Sequence, residues 1–175
     1  MENIGLILFI LQQLGMTLGV GASTFALIFY IASGRDGEID STERSFLHIT
    51  FTVLRTGLFL IIFSGAIITG AHLLAGESSV VFQPIFIGKW LLIGLIVLNA
   101  LLMTSKIIPL PIGGALAGAT WYALFFLHNI APDMSFLMFA ILYVLWALAF
   151  TLLFQGVKML AREKGFPEKR APMTV

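Results

Sequence analysis

Residues 4–32 read IGLILFILQQLGMTLGVGASTFALIFYIA and contain no charged side chain. A helix needs roughly 20 apolar residues to cross the hydrocarbon core of a bilayer, and this run is longer than that. The run also exceeds the apolar part of a secretory signal, and the residues before it lack the positive charge of such a signal. We therefore expect a first membrane span that is retained in the protein.

The rest of the chain has the same apolar character. Of its 175 residues, 59% are hydrophobic and 11% are charged, whereas soluble domains carry about 25% charged residues. A soluble fold of this length cannot bury so much apolar surface, so lipid must be the solvent for most of it. The net charge of +1 does not favour nucleic acid as a partner, and the absence of cysteine excludes disulfides and thiolate metal sites.

Further apolar runs follow the first one, at residues 46–75, 84–105, 109–129 and 134–160. Irregular backbone cannot face lipid, so each run should be a helix. Pro84 and Pro109 lie at run boundaries, where a missing N–H costs least. The sequence therefore predicts an all-α integral membrane protein, a bundle of five transmembrane helices forming one domain over residues 1–162, with a short cytoplasmic tail at 163–175.

The basic residues predict the orientation of this bundle. Lys89 lies near one side of the predicted spans. The other side collects Arg35, Arg44, Lys106, Lys158, Arg162, Lys164, Lys169 and Arg170. Because lysine and arginine accumulate in cytoplasmic loops, we expect the N-terminus outside and the C-terminus inside the cell inner membrane.

Two histidines are candidates for a cofactor site near the outer face. His72 lies near the end of the second run and His128 near the end of the fourth, at similar depth. Two imidazoles on different helices can ligate haem b axially, or serve a metal with further ligands, and Arg55 or Lys89 can neutralise the haem propionates. This predicts a redox protein of membrane electron transfer. Alternatively, each histidine lies separately at the interface, its polar edge among the headgroups.

A second hypothesis is a permease or channel for a small solute. Polar and aromatic residues that can line an outward-facing cavity are Gln12, Gln13, Thr69, Trp121 and Tyr122. No Asp or Glu lies in the middle of a predicted span, which argues against proton- or sodium-coupled transport.

On the inner side, His48, Thr52 and Asn99 form a polar face. Arg55 either extends to the headgroups or binds an anion. Motifs of hydrolases and nucleotide-binding enzymes are absent.

The most polar segment, GRDGEIDSTER at residues 34–44, supports a third hypothesis. Gly37 and Glu43 match positions six and twelve of an EF-hand loop, but positions one and three lack side-chain oxygens, which argues against calcium binding. The segment instead predicts a tight turn, followed by a capping box of Asp40 and Glu43. Such a hairpin is a candidate surface through which a non-catalytic subunit docks a cytoplasmic or redox partner.

Small residues recur at four-residue spacing in two of the predicted spans. Gly15 and Gly19 form one pair, and Gly114 and Gly118 form another. This spacing lets helix backbones approach closely in lipid. It predicts close packing within the bundle or, as the alternative, a face for a homo-oligomer.

The third run, GKWLLIGLIVLNALLMTSK at residues 88–106, resembles a helix of the small membrane proteins grouped with the copper-resistance protein CopD and the haem-associated HemJ proteins. In those proteins, too, a lysine precedes a long aliphatic run. The resemblance covers this one helix and implies a haem or metal function. The helix has Asn99 where a HemJ-like helix is expected to have a histidine, so no site residue is assigned from the resemblance.

Overall fold

The computed structural model describes residues 2–33, 41–130 and 134–163, and all regular structure in these ranges is helical. The helices are α1 (Glu2–Ser33), α2 (Ser41–Leu74), α3 (Ser78–Val81), α4 (Pro84–Thr104), α5 (Leu110–Ile130) and α6 (Phe136–Glu163). The all-α prediction is confirmed for these ranges. The short α3 was not expected, and α2 begins about one turn before the apolar run that predicted it. Residues 34–40, which hold the expected turn, Asp40 and most of the candidate docking segment, lie outside the described residues.

Four helices within the described ranges are long and apolar enough to cross a membrane. Their apolar windows are Asn3–Ile31, Arg44–Leu74, Pro84–Thr104 and Phe136–Val157. The outward faces of these helices carry large apolar side chains such as Phe59, Leu137 and Leu152, each more than 60% exposed. Such a surface is compatible with lipid and not with water. The chain thus has the architecture of a membrane protein, while α5 is not among the four candidate spans.

The position of α5 explains its different composition. It packs against α1, α4 and α6, and its Ala115, Ala119, Trp121 and Leu124 have no exposed surface. A helix that is surrounded by protein needs small side chains and hydrogen-bonding groups more than it needs long apolar ones. The Thr120 and Tyr143 hydroxyls, for example, form a hydrogen bond of 2.8 Å between α5 and α6. α5 therefore packs against three of the long helices, which bury its central turns, while Ile112, Phe126 and Ile130 stay exposed.

The five long helices run up and down in alternation. On α1 and α2, Gly15 faces Gly57 whereas the earlier Gln12 faces the later Gly65, so the two helices are antiparallel. Contacts of α5 with α1, α4 and α6 show that these pairs are antiparallel as well. The main apolar core consists of Met16, Ile61, Leu92, Ile93, Ile96, Trp121, Leu124 and Leu127, contributed by α1, α2, α4 and α5. This layer lies midway along the bundle.

The glycine pairs are used for packing inside the chain. A Cβ atom added to Gly15 would lie 2.8 Å from the carbonyl oxygen of Gly57, and one added to Gly19 would lie 2.1 Å from the Trp121 ring. Gly118 contacts Leu27 and Phe150 in the same way, at 2.9 Å and 3.0 Å from its added Cβ. Helices of the same chain therefore cover these faces, and a homo-oligomer formed through them stays an untested prediction.

Two helices end in the same backbone motif. After α2, the N–H of Gly76 donates to the carbonyl of Leu73 and the N–H of Glu77 to that of His72; after α4, Lys106 and Ile107 repeat both bonds. This Schellman motif requires a left-handed residue, which is Gly76 (φ 75°) in one case and Lys106 (φ 58°) in the other. A side chain at such a φ is strained, whereas glycine is not.

The two motifs predict opposite changes in the free energy of unfolding when glycine replaces Lys106 and when alanine replaces Gly76. Lys106→Gly should raise the free energy of unfolding by roughly 1 kcal/mol, because it removes the steric cost of a left-handed residue with a Cβ atom. Gly76→Ala should lower it by a similar amount, roughly 1 kcal/mol. Unfolding in mixed micelles with increasing SDS measures both changes. Equal stabilities of the two variants and the native protein would contradict the assignment.

The packing of Gly19 predicts a large effect for a one-carbon substitution. Gly19→Ala should lower the free energy of unfolding by roughly 1–3 kcal/mol, since the Trp121 ring must move. Gly21→Ala on the same helix is the matched control, because nothing lies within 4 Å of a Cβ added there. Its stability should be unchanged or slightly higher. If both variants unfold at the same SDS fraction, the contact between Gly19 and Trp121 is not formed.

Candidate functional site

One cavity of about 120 Å³ lies at the end of the bundle where α1 begins, and we refer to it as the His128 cavity. Its lining comes from α1, α2, α4 and α5 and consists of Gln12, Met16, Ile61, Gly65, Ile68, Phe86, Lys89, Trp90, Ile93, Leu124 and His128. The predicted site residues Gln12, Lys89 and His128 are thus brought together. Antiparallel packing explains this, because it puts the start of α1 and of α4 beside the end of α5.

Neighbouring rings and hydroxyls fix the walls of the His128 cavity. The Phe9 ring stacks on the His128 imidazole, with ring centroids 6.2 Å apart. The indole N–H of Trp90 donates to the Thr69 hydroxyl at 3.2 Å, and that hydroxyl donates to the Gly65 carbonyl at 2.7 Å. Thr69 therefore holds Trp90 in place and does not line the cavity itself.

Three other residues that the sequence predicts in the lining of an outer cavity make their contacts outside the His128 cavity: Gln13, Tyr122 and Trp121. The Gln13 amide donates to the Asn129 side-chain oxygen at 3.3 Å, which links the start of α1 to the end of α5. The Tyr122 hydroxyl forms a 2.8 Å hydrogen bond with that of Thr24. Trp121 is fully buried in the apolar core, and its indole N–H has no hydrogen-bond partner among the described residues.

His72 lies in a local structure of its own. Its Nδ1 atom is 2.7 Å from a carboxylate oxygen of Glu77, the residue that completes the cap of α2, and its ring meets the edge of Phe86. His72 does not line the His128 cavity. Within the described ranges, no three His, Asp or Glu side chains are grouped as metal ligands. Ligation of haem b by His72 and His128 stays a prediction.

A second cavity, of about 260 Å³, lies in the opposite half of the bundle, and we refer to it as the Arg55 cavity. The same four helices line it, with Phe154 added from α6. Its polar members are Ser23, Tyr30, Arg55, Asn99 and Thr104, and its apolar members include Leu27, Leu54, Ile96 and Met103. The sequence predicts that Arg55 and Asn99 lie at the same end of the bundle, and both line this cavity. Nothing in the sequence indicates Tyr30 and Phe154, whose helices are far apart in the chain.

Asn99 is a buried polar group of the Arg55 cavity, with 4% of its surface exposed. Its amide N–H donates to the Gly113 carbonyl at 2.8 Å. Its carbonyl oxygen, Oδ1, has no hydrogen-bond partner among the described residues. His48 and Thr52, the other members of the predicted inner polar face, are exposed on α2 and do not line the cavity.

Charge in the two cavities has one sign. Each lining includes one lysine or arginine, Lys89 in one and Arg55 in the other, and no Asp or Glu among the described residues. The one ion pair found in the described ranges joins His72 to Glu77, so neither cation has a carboxylate partner there. A cation without a carboxylate partner attracts anions, and the attraction grows as the cation is withdrawn from water.

The chain matches no protein-family model, no curated protein and no solved structure. Its function is therefore inferred from the chemistry and position of the two cavities.

Proposed function

We propose that this protein is a permease or channel that carries a small anion across the membrane through the space between α1, α2, α4 and α5. One observation carries the proposal. Two cavities lie on opposite sides of a single apolar layer, are lined by the same four helices, and each contain a basic side chain without an Asp or Glu among the described lining residues.

The barrier between the cavities is shortest along α4. On α4, Ile93 lines the His128 cavity and Ile96 lines the Arg55 cavity, which at the rise of an α-helix leaves about 4.5 Å between them. On α5, the corresponding residues are Leu124 and Ala117, with the buried Trp121 between them. Apolar constrictions of this kind close a pore by excluding water, and a small helix movement opens them.

The orientation follows from the basic residues at the two ends. Arg44 and Lys106 lie at the end of the bundle that holds the Arg55 cavity, whereas Lys89 lies at the other. By the positive-inside rule, the Arg55 cavity opens toward the cytoplasm and the His128 cavity outward. In this arrangement α5 crosses the cell inner membrane as a fifth span, with its central turns packed against its neighbours.

The other two hypotheses have weaker support. Haem b ligation needs two imidazoles that face one space, and His72 is paired with Glu77 outside the cavity of His128. Docking of a cytoplasmic partner through residues 34–44 depends mainly on residues outside the described ranges. A purified protein with a Soret band that is lost in His128→Ala would favour haem over anion transport.

The proposal predicts that each cavity cation is needed for flux. Proteoliposomes should take up labelled anions faster than protein-free vesicles, and Lys89→Gln and Arg55→Gln should each reduce the rate about tenfold, which corresponds to about 1.4 kcal/mol in the barrier. The test set should contain phosphate, lactate and a medium-chain hydroxy acid, with choline as the cation.

Lys106→Gln is the matched control for this experiment, because it removes a cation at the same membrane end as Arg55 without touching a cavity lining. Its flux should equal that of the native protein. Anion uptake no faster than in empty vesicles, or uptake that is insensitive to both cavity substitutions, would rule out the proposed function.

A further inference from the structure

We infer that the Arg55 cavity is the binding site for an amphiphilic organic anion that also carries an O–H or N–H donor. Its acidic group pairs with the Arg55 guanidinium, its apolar body fills the cavity, and its donor meets Oδ1 of Asn99. The inference rests on the proposed function in treating this ligand as the transported substrate, while binding itself is independent of transport.

The size and lining of the cavity limit the ligand. Its volume of about 260 Å³ equals the share of about nine water molecules in the liquid and lies just below the roughly 300–1,000 Å³ of sites for drug-sized ligands. Leu27, Leu54, Ile96 and Met103 present apolar surface. A medium-chain aliphatic acid has a suitable volume and polarity, whereas an inorganic ion would leave most of the apolar lining without contacts.

Asn99 is the reason that the ligand must carry a hydrogen-bond donor. The carbonyl oxygen of a buried amide loses its bonds to water, and this cost is recovered only when a donor replaces them. The N–H side of Asn99 is held by Gly113, which fixes the amide and leaves Oδ1 unpartnered within the described residues. Groups that only accept hydrogen bonds, such as a halide or nitrate, cannot satisfy it. A hydroxyl or amide N–H on the ligand can.

Arg55 is the reason that the ligand must carry an acidic group, and its position along α2 sets the level in the membrane at which that group binds. Arg55 precedes Leu74, the last residue of α2, by 19 residues, a distance of about 28 Å along a helix. This nearly equals the hydrocarbon thickness of about 30 Å. With Leu74 at one boundary, Arg55 lies at the other. Because the side chain is exposed and also lines the cavity, it can form the paired hydrogen bonds that guanidinium makes with a carboxylate.

The same chemistry occurs in two sources. A free hydroxy acid combines an anion, an apolar body and a donor, and so does the headgroup region of phosphatidylglycerol. We assign the site to the free acid, because the cavity accommodates a volume of about nine waters, which is far smaller than a phospholipid.

The test is a comparison of two ligands that differ in one hydroxyl. The protein is placed in phosphatidylcholine nanodiscs, and binding of octanoate and ω-hydroxyoctanoate is measured by titration calorimetry against empty nanodiscs. The hydroxy acid should bind about tenfold more tightly to the native protein, as expected for a hydrogen bond to an otherwise unpartnered buried acceptor. In Asn99→Leu this ratio should fall to about one.

Two further variants separate the contributions. Arg55→Gln should weaken both acids by a similar factor and keep the ratio between them, because it acts on the shared carboxylate. Asn129→Leu is the matched control, since Asn129 bonds to Gln13 and to the Phe125 carbonyl outside both cavities, and it should bind as the native protein does. Melting curves of each variant verify the fold.

Equal affinity of the two acids for the native protein, or a ratio that persists in Asn99→Leu, overturns the inference. So does competition by phosphatidylglycerol: if replacing part of the phosphatidylcholine abolishes acid binding in an Asn99-dependent way, the occupant is the lipid headgroup. Flux data separate this inference from the proposed function. Selective binding without flux leaves the site and removes the transport role, whereas flux without a hydroxyl preference leaves transport and removes the site.

Discussion

The contact between the Trp121 ring and the backbone of α1 at Gly19 is the constraint on which the bundle depends. Only a residue without a side chain allows the ring to lie there, since an added Cβ would be 2.1 Å from it. The ring fills the middle of the apolar layer and draws α5 against α1, while Gly15 and Gly57 bring the backbone of α2 directly against that of α1. Because the helices meet most tightly at this level, space remains above and below it, and the two cavities occupy that space.

Much of the fold could be predicted from the sequence, because the bilayer allows few alternatives. Apolar length gave α1, α2, α4 and α6, and Pro84 lies at the first turn of α4 as expected. The motif after α4 could not be predicted, since Lys106 carries none of the glycine signal that a left-handed cap usually shows. The role of α5 also needed the structure, because its Gly- and Ala-rich sequence fits both a lipid-facing span and a helix surrounded by others.

For the candidate site, the sequence predicts how deep each residue lies along its helix but not which side chains contact one another. Depth along a helix follows from counting residues, which places His72 and His128 at one level, with Gln12 deeper and Lys89 on the same side of the bundle. Of these four, Gln12, Lys89 and His128 share a cavity. Which way a side chain faces depends on helix rotation and on local caps. His72 has the right depth but belongs to the end of α2, where the chain reverses and brings Glu77 to its ring. Asn99 was visible as a polar residue in an apolar run, but its unpartnered oxygen became evident only from the packing of Gly113.

The packing of α5 against three of the long helices has a consequence for how the protein is made. In the proposed five-span topology, α5 depends on packing against its neighbours as well as on lipid. The nascent chain presents α1, α2 and α4 before α5, so the Gly19 surface of α1 is synthesised before the Trp121 ring that packs on it. α6 then closes the remaining side through Tyr143 and Trp146. In that topology, insertion and folding are coupled at one helix, and a defect at the Gly19 surface is expected to appear as a loss of membrane-integrated protein during synthesis.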